Sequence, residues 1–404
     1  MKPYPKYKPS DIQWLGNIPE HWEVKKLKYV VDLINQKSDN IESTFNIALE
    51  NIESGTGKII NVDADKEFEG ELRPFQKNDV LFSKLRPYLC KVYLAEREGT
   101  CVGELLIFRP KTFILPNYLF YNVFSKEFIN AVDGSTYGTK MPRASWEDFI
   151  SHQLIPIPTL PEQTAIAQFL DQKTTQIDTL IAQKQRLISL LKEERMAFIN
   201  EILSDESFPL KKLKYVTRGV QTGSTPPSDK TEYFNGNFDW FTPSDFKDDL
   251  ILRNSKRKIT DLAITHGLVK VYEPNSVLMI GIGATLGKIG LIEREASSNQ
   301  QVNCITFTNE INPYFGAYFL NSISQDIVSM ANAATLAILN QSQTKDIKIP
   351  CPPLETQQRI VESIETTTGK IDATLAKVVQ EIELLKEYRV ALISEVVTGK
   401  ISVV

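Results

Sequence analysis

Two stretches of the chain place residues at alternating spacings of four and three. The first is Ile177, Ile181, Lys184, Ile188, Leu191, Arg195, Phe198 and Ile202; the second is Ile371, Leu375, Val378, Ile382, Leu385, Arg389, Leu392 and Val396. Six of the first eight and seven of the second eight are apolar. This 3.5-residue period predicts helices with a narrow seam, of the kind that faces another helix. From Ile177 to Ile202 such a helix would extend about 39 Å. Each seam could pack on the globular segment next to it, but two matching seams fit better as an antiparallel coiled coil, a rod with a globular domain at each end. Arg195 and Arg389 hold the same seam position, either as snorkelling edge residues or as a polar device that fixes register. A Pro-rich turn precedes each helix, and Thr159-x-x-Glu162 fits a capping box.

Before each helix lies a mixed segment, about 22–157 and 208–353. Short apolar runs such as Val80-Leu81-Phe82 and Ser276-Val277-Leu278-Met279-Ile280 alternate there with Gly, Pro, Asn and Asp, which is strand-and-turn texture. Helical stretches are predicted at 117–131 and 313–331. The chain is also written twice. Lys-Lys-Leu-Lys-Tyr-Val at 25–30 recurs at 211–216, displaced by 186, and the run at 155–170 recurs at 349–364, displaced by 194. The displacement of 194 also carries Ile177-Asp178 onto Ile371-Asp372, while the strands follow about 197. These matches predict an α+β protein with a pseudo-twofold internal repeat. It consists of a mixed α/β domain at 1–157, a helical spacer at 158–203, a second mixed domain at 204–353 and a second spacer at 354–404.

Composition narrows the function classes. The 404 residues include 42% hydrophobic and 24% charged side chains, an ordinary globular balance. Four scattered cysteines and three histidines argue against a disulfide framework and a zinc site. No apolar h-region opens the chain and no apolar run approaches a membrane span, so a soluble cytoplasmic protein is expected. The formal charge of -4 at first speaks against nucleic acid. Residues 161–203 hold five bases and six acids, and 354–397 hold five and eight, which accounts for the whole -4. The remainder nets zero. It includes a window at 73–111 with eight bases and four acids, and another at 247–270 with six bases and three acids.

A catalytic constellation is not found. Gly281 to Gly290 resembles a phosphate loop, but the Gly283-to-Gly287 spacing and Ile289 after the Lys both break the pattern, so a strand and tight turn is expected. Thr225-Pro226-Pro227-Ser228 and Asn312-Pro313-Tyr314 each lack parts of the loop with which a methyltransferase grips a flipped base. Asp248-Asp249 and Glu193-Glu194 are adjacent rather than facing, and are expected to be solvated. What remains is binding chemistry. Arg and Lys can read guanine or hold phosphates, and amides can read adenine. Candidate DNA contacts are Lys84, Arg86, Tyr88, Lys91, Lys140 and Arg143 in the first copy. In the second they are Thr222, Ser224, Thr225, Trp240, Thr242, Ser244, Lys256, Arg257, Lys258, Asn299 and Gln300.

At these residues the chain resembles the specificity subunit of type I restriction–modification enzymes. The resemblance rests on Ser10-Asp11-Ile12-Gln13-Trp14-Leu15-Gly16, on Ile18-Pro19-Glu20-His21-Trp22, and on the Pro-Leu-x-x-Gln-x-x-Ile entry at Pro353 to Ile360, where copy one has Thr159 for Pro but keeps Leu160, Gln163 and Ile166. Gly223-Ser224-Thr225-Pro226, Asn299-Gln300 and Val397-Thr398-Gly399-Lys400-Ile401 complete it. It implies a non-catalytic subunit with two target-recognition domains, each reading half of a split DNA site. Two methyltransferase subunits carrying S-adenosylmethionine would dock on it, with restriction subunits using ATP and Mg. The rivals are a coiled-coil adaptor that only joins proteins and a self-sufficient methyltransferase. The ~39 Å seam is close to one turn of B-DNA, about 34–36 Å, so the helices could act as a ruler. Inserting one heptad into both helices is then expected to abolish binding to the native site in a mobility-shift assay, and unchanged binding would refute the ruler.

Overall fold

The two sequence matches that bracket each mixed segment are strands paired with one another. In the computed structural model, Glu23–Lys26 runs antiparallel to Leu154–Ile157 with Lys25 opposite Ile155. Leu210–Lys212 pairs in the same way with Lys348–Pro350, Lys211 opposite Ile349. The structure describes residues 3–10, 15–36, 45–61, 72–247, 249–331 and 337–403. Residues 11–14 of the opening motif, and Asp248, lie outside these. Two units emerge: Met1–Gln185 with Val379–Val404, and Arg186–Val378.

Unit 1 is built on a four-stranded antiparallel sheet of β1 (Val31–Ile34), β2 (Val80–Ser83), β3 (Val92–Leu94) and β4 (Leu105–Pro110), in the order β1-β4-β2-β3. The sheet is buried on both faces, which is why its strands read as unbroken apolar runs rather than alternating ones. Val80, Phe82, Leu106 and Phe108 face one core, and Leu81, Leu105 and Ile107 face another. Unit 2 repeats the plan. Its β5 (Thr217–Thr222), β7 (Ser276–Ile280), β8 (Ile289–Ile292) and β10 (Val302–Phe307) take the order β5-β10-β7-β8, and β6 (Phe234–Phe241) pairs in parallel with the short β9 (Ser297–Ser298) beside them. Phe108 lies opposite Val80 and Ile305 opposite Val277, the same register displaced by 197. The helical stretch expected at 117–131 is two helices, Pro116–Phe124 and Lys126–Asp133. Ser125 breaks it with extended backbone and caps the second helix by accepting the Phe128 N–H. The stretch at 313–331 is likewise Pro313–Ser322 followed by Ser324–Ser329.

The long helices run Leu160–Leu203 and Leu354–Val397, 44 residues each, about 66 Å. They exceed the expected seam because their first turns are already part of a globular core. In unit 1, Ile166, Leu170 and Ile177 from the first helix join Leu392, Ile393, Val396 and Val397 from the second in the core with Trp22, Phe108 and Tyr118. In unit 2, Ile199 and Leu203 join Ile360, Val361 and Ile364 around Phe315 and Leu320. The helices therefore both pair and pack: their ends are core and their middles are seam. Ile371, Val378 and Ile382 are buried, and Ile181, Ile188, Leu191, Phe198, Ile202, Leu375 and Leu385 half-buried.

The arginine–aspartate contacts of the seam obey the repeat. In unit 1 the Arg389 Nε lies 3.1 Å from Asp178 Oδ1. In unit 2 Arg195 donates to Asp372 over the same 3.1 Å, and the displacement of 194 maps one pair onto the other. The two arginines nonetheless differ. Arg389 does not snorkel: it is buried, and it donates to the carbonyls of Gly55 and Thr56, each at 3.2 Å. Asp178 also takes Lys58 at 2.8 Å. Arg195 is half-buried. Lys184 pairs with Glu381, but the repeat maps those positions onto Val378 and Leu187, so this ion pair has no mate.

The junction of each helix with its globular segment explains the glutamine of the entry motif. Gln163 is fully buried; it accepts the Leu115 N–H at 2.8 Å and donates to Phe113 O and Pro158 O, both at 3.0 Å. Gln357 does the same with Asn312 N–H at 2.7 Å, Glu310 O at 2.9 Å and Pro352 O at 2.8 Å. Ahead of it, Glu162 reaches back to the Thr159 N–H at 3.2 Å, half of the expected capping box. The Thr159 hydroxyl donates to the same carboxylate at 3.0 Å instead of capping the helix. Glu162 also receives His21 at 2.9 Å and Trp22 at 3.4 Å. Burial alone would raise its carboxyl, but these donors hold it below the usual carboxylate range. The closing motif returns to the same place, since Gly399 has φ +74 and a Cβ there would strike Pro19 and lie 3.0 Å from Trp22.

Replacing Gln357 with Leu strands a buried N–H and two carbonyls and is expected to cost about 3 kcal/mol. Arg195→Ala removes a half-exposed ion pair and should cost under about 1 kcal/mol. Urea unfolding of the two variants checks the ranking, and equal losses would contradict the assigned role of the glutamine.

Candidate nucleic-acid interface

Beyond the end of the strand β2 the chain leaves the sheet and meets a returning segment. Lys84 N–H donates to Glu104 O at 3.2 Å, Ala144 N–H to Lys84 O at 2.9 Å, and Arg86 N–H to Pro142 O at 2.8 Å. Leu85 and Arg143 are bridge partners. Beyond β7 the same ladder forms from Gly281 N–H to Gln301 O at 2.8 Å, Leu339 N–H to Gly281 O at 2.8 Å, and Gly283 N–H to Ala337 O at 3.3 Å. There Ile282 and Ile338 are the bridge partners. The backbone is thus one site built twice, with different side chains on each copy.

In unit 1 the site is cationic. Lys84, Arg86, Lys140 and Arg143 are brought together, Arg86 donating to Lys140 O at 3.4 Å. Arg143 makes a two-point pair with Glu104, at 2.8 and 3.3 Å. Lys84 and Lys140 have no side-chain partner among the described residues, and Tyr88, Tyr137 and Met141 stand exposed nearby in sequence. Lys91 is not part of this group, because its ammonium turns inward to Leu49 O at 2.6 Å.

In unit 2 the candidate residues form one connected region. Trp240 is buried, and its indole N–H donates to Ser224 O at 3.0 Å, so it supports the loop at 223–225 rather than presenting a surface. Asn299 N–H donates to Phe241 O and Ser224 N–H to Ser298 O, both at 3.0 Å. Gly223 is required here, since a Cβ would collide with the Ser298 and Asn299 carbonyls. Thr225 donates to Gln300, and the Thr222 hydroxyl to Asn303 at 2.7 Å. Thr242 is held by Asp245 and lies 3.0 Å from the Ser244 hydroxyl.

The cations of this region have internal duties that sequence alone did not reveal. Lys256 donates to Ser244 O at 2.9 Å, and Arg257 stacks over Trp240 at 4.9 Å and Phe234 at 5.4 Å. Lys258 lies 3.3 Å from Asp239. Burial would raise the Asp239 carboxyl, but the Ser255 N–H and hydroxyl, both at 2.9 Å, together with Lys258 hold it below the usual carboxylate range. Sequence reasoning passed over Asn340 and Gln341, which the fold brings against Thr222 and Gln301; no local signal in the sequence marks them. Among the described residues, no group of three or more His, Cys, Asp or Glu side chains could hold a metal ion, and no helix is long and apolar enough to cross a membrane.

Comparison with known proteins places this architecture. The pattern of the Type I restriction modification DNA specificity domain matches residues 19–189 and 210–384. The chain is 28% identical over 170 residues to the EcoDI specificity subunit of Escherichia coli, covering 41% of this chain and 38% of that one. It is 27% identical over 262 residues to the EcoR124I/EcoR124II specificity subunit of Escherichia coli, covering 60% and 62%. These first matches thus span less than two thirds of the relatives' own length. The StySPI specificity subunit of Salmonella potsdam matches at 22% over 430 residues, 96% of this chain and 90% of that one. Among solved structures, the HsdS subunit from Thermoanaerobacter tengcongensis shares the fold with a TM-score of 0.59 at 18% identity, covering 95% and 98%. A chain from work on complex assembly and conformational transition of the type I R-M system shares it at 0.72 and 20%, covering 95% and 99%. The chain belongs to the type I restriction–modification DNA specificity family.

Proposed function

We propose that this chain is the DNA-reading subunit of a type I restriction–modification assembly and carries no catalytic group of its own. Each unit reads one half of an asymmetric, two-part duplex site. The observation that carries this reading is the doubled backbone site: one ladder of hydrogen bonds after β2 and after β7, furnished with cations in one copy and with amides and isoleucines in the other. Two readers built alike but lined differently suit two different half-sites. Two methyltransferase subunits would dock on the chain, supply S-adenosylmethionine and methylate adenine. Restriction subunits would add ATP and Mg. The net acidic helices suit protein contact, and the cationic site of unit 1 suits phosphate. A protein-joining adaptor would have no use for two differently furnished sites.

With the methyltransferase partner present, the chain is expected to retard duplex DNA in a sequence-dependent and salt-sensitive manner. Replacing Lys84 or Lys140 with Ala should weaken all sequences about equally and lower the slope of log affinity against log salt by about one each. Methylome sequencing of a host expressing the assembly should report one asymmetric bipartite motif. A symmetric motif, or binding indifferent to sequence, would refute the proposal.

A further inference from the structure

Beside the β7 ladder of unit 2 lies a cleft of about 450 Å³. Its lining is neutral and rich in carboxamides, and hydrogen bonds with backbone groups fix which way Asn340, Asn299, Gln341 and, through Asn299, Gln301 point. The Asn340 oxygen accepts the Gln343 N–H at 2.9 Å, and a backbone N–H can only donate. The Asn299 oxygen accepts the Gln301 N–H at 3.1 Å, so the Asn299 nitrogen faces the Gln301 side-chain oxygen at 2.9 Å. The Gln300 oxygen accepts from the Thr225 hydroxyl. Gln341 is spent on β5, where it donates to Val220 O at 3.2 Å and accepts the Thr222 N–H at 3.1 Å.

The consequence is a polarity. Gln300, Gln301 and Asn340 have oxygens engaged inside the protein and amino groups without an acceptor among the described residues. Beside them Ile282 and Ile338 form a half-exposed apolar wall. A phosphate would call for a cation, and no Lys or Arg lines the cleft. Adenine and cytosine offer an amino donor in the major groove, whereas the carboxamide oxygens of Gln300, Gln301 and Asn340 are each already engaged. The edges that fit are those made of acceptors: guanine with N7 and O6, or thymine with O4 beside its methyl group.

Resting on the DNA-reading function above, we propose that this cleft is a base-reading site of unit 2, and that Gln300, Gln301 and Asn340 select an acceptor edge in the major groove. The equivalent position in unit 1 cannot do this. Glu104 stands there for Gln301 and Arg143 for Ile338, and the two are paired with each other. The site is therefore confined to one half of the DNA target.

The test uses the full chain assembled with its methyltransferase partner and a duplex library randomised across both halves. Gln301→Glu keeps the oxygen that faces Asn299 and turns the free donor into an acceptor; Gln300→Ala removes a side chain whose described bond is to Thr225 alone. Each is expected to lose roughly 10- to 100-fold discrimination at one or two adjacent guanine or thymine positions of a single half, the other half keeping its preference. Replacing the selected guanine with 7-deazaguanine, or the selected thymine with deoxyuridine, distinguishes the two edges by which substitution weakens the wild-type assembly. Unchanged preference at every position in both variants would overturn the assignment, as would a uniform loss across both halves. If the wild-type assembly shows no sequence preference at all, it is the DNA-reading function itself that fails.

Discussion

An apolar seam only one residue wide on a 44-residue helix cannot hold that helix in water by itself, and the organisation of the chain follows from this constraint. The middle of the seam is mostly half-buried, so it fixes direction and register more than it supplies stability. Stability comes at the ends, where each unit takes the beginning of one helix and the end of the other into a single core. The seam ion pairs then have a plain role. Both the pair of Asp178 with the buried Arg389 and the half-exposed pair of Arg195 with Asp372 penalise a slipped register, which would leave charges opposite isoleucines.

With the helices fixed, the two units are free to differ where difference is useful. Gln163 and Gln357 make the same three bonds to the same kind of backbone, and the central strand pairs of the two sheets keep one register. Divergence collects just past β2 and β7, on backbone whose hydrogen bonds are already satisfied by the ladder with the returning segment. Side chains there can change sign, size or polarity without exposing an unpaired amide. Such a place is where a specificity determinant can vary at little cost to folding.

Much of this was legible in the chain before any coordinates. The 3.5-residue period and the repeat each follow from residue spacing, and local spacing survives in the fold. Three features were not legible, and they share a reason. Arg389 reads as an edge residue until residues 55 and 56, more than 300 positions away, supply carbonyls that bury it. Trp240 reads as a candidate DNA contact until Ser224 takes its indole N–H. Lys256, Arg257 and Lys258 read as a phosphate-binding cluster until each proves to have its own partner. Charge counting sees the cation and not what neutralises it, because the neutralising group arrives through tertiary structure. The amide cleft is the converse case: Asn340 carries no local signal and gains meaning only from the segment it returns to.

The composition of unit 1 bears on how the chain comes into being. Its core needs Leu392 to Val397, yet its other contributors lie within the first 185 residues. At roughly 5–20 residues per second, on the order of 10–40 s of synthesis separate the two parts. During that interval Ile166, Leu170 and Ile177 have been made but lack the partners that cover them. Unit 2, a continuous stretch of chain, can close as soon as it emerges. The unit that is translated first is thus the one that finishes last, and the nascent chain passes through a stage in which a half-built core is the surface most in need of protection.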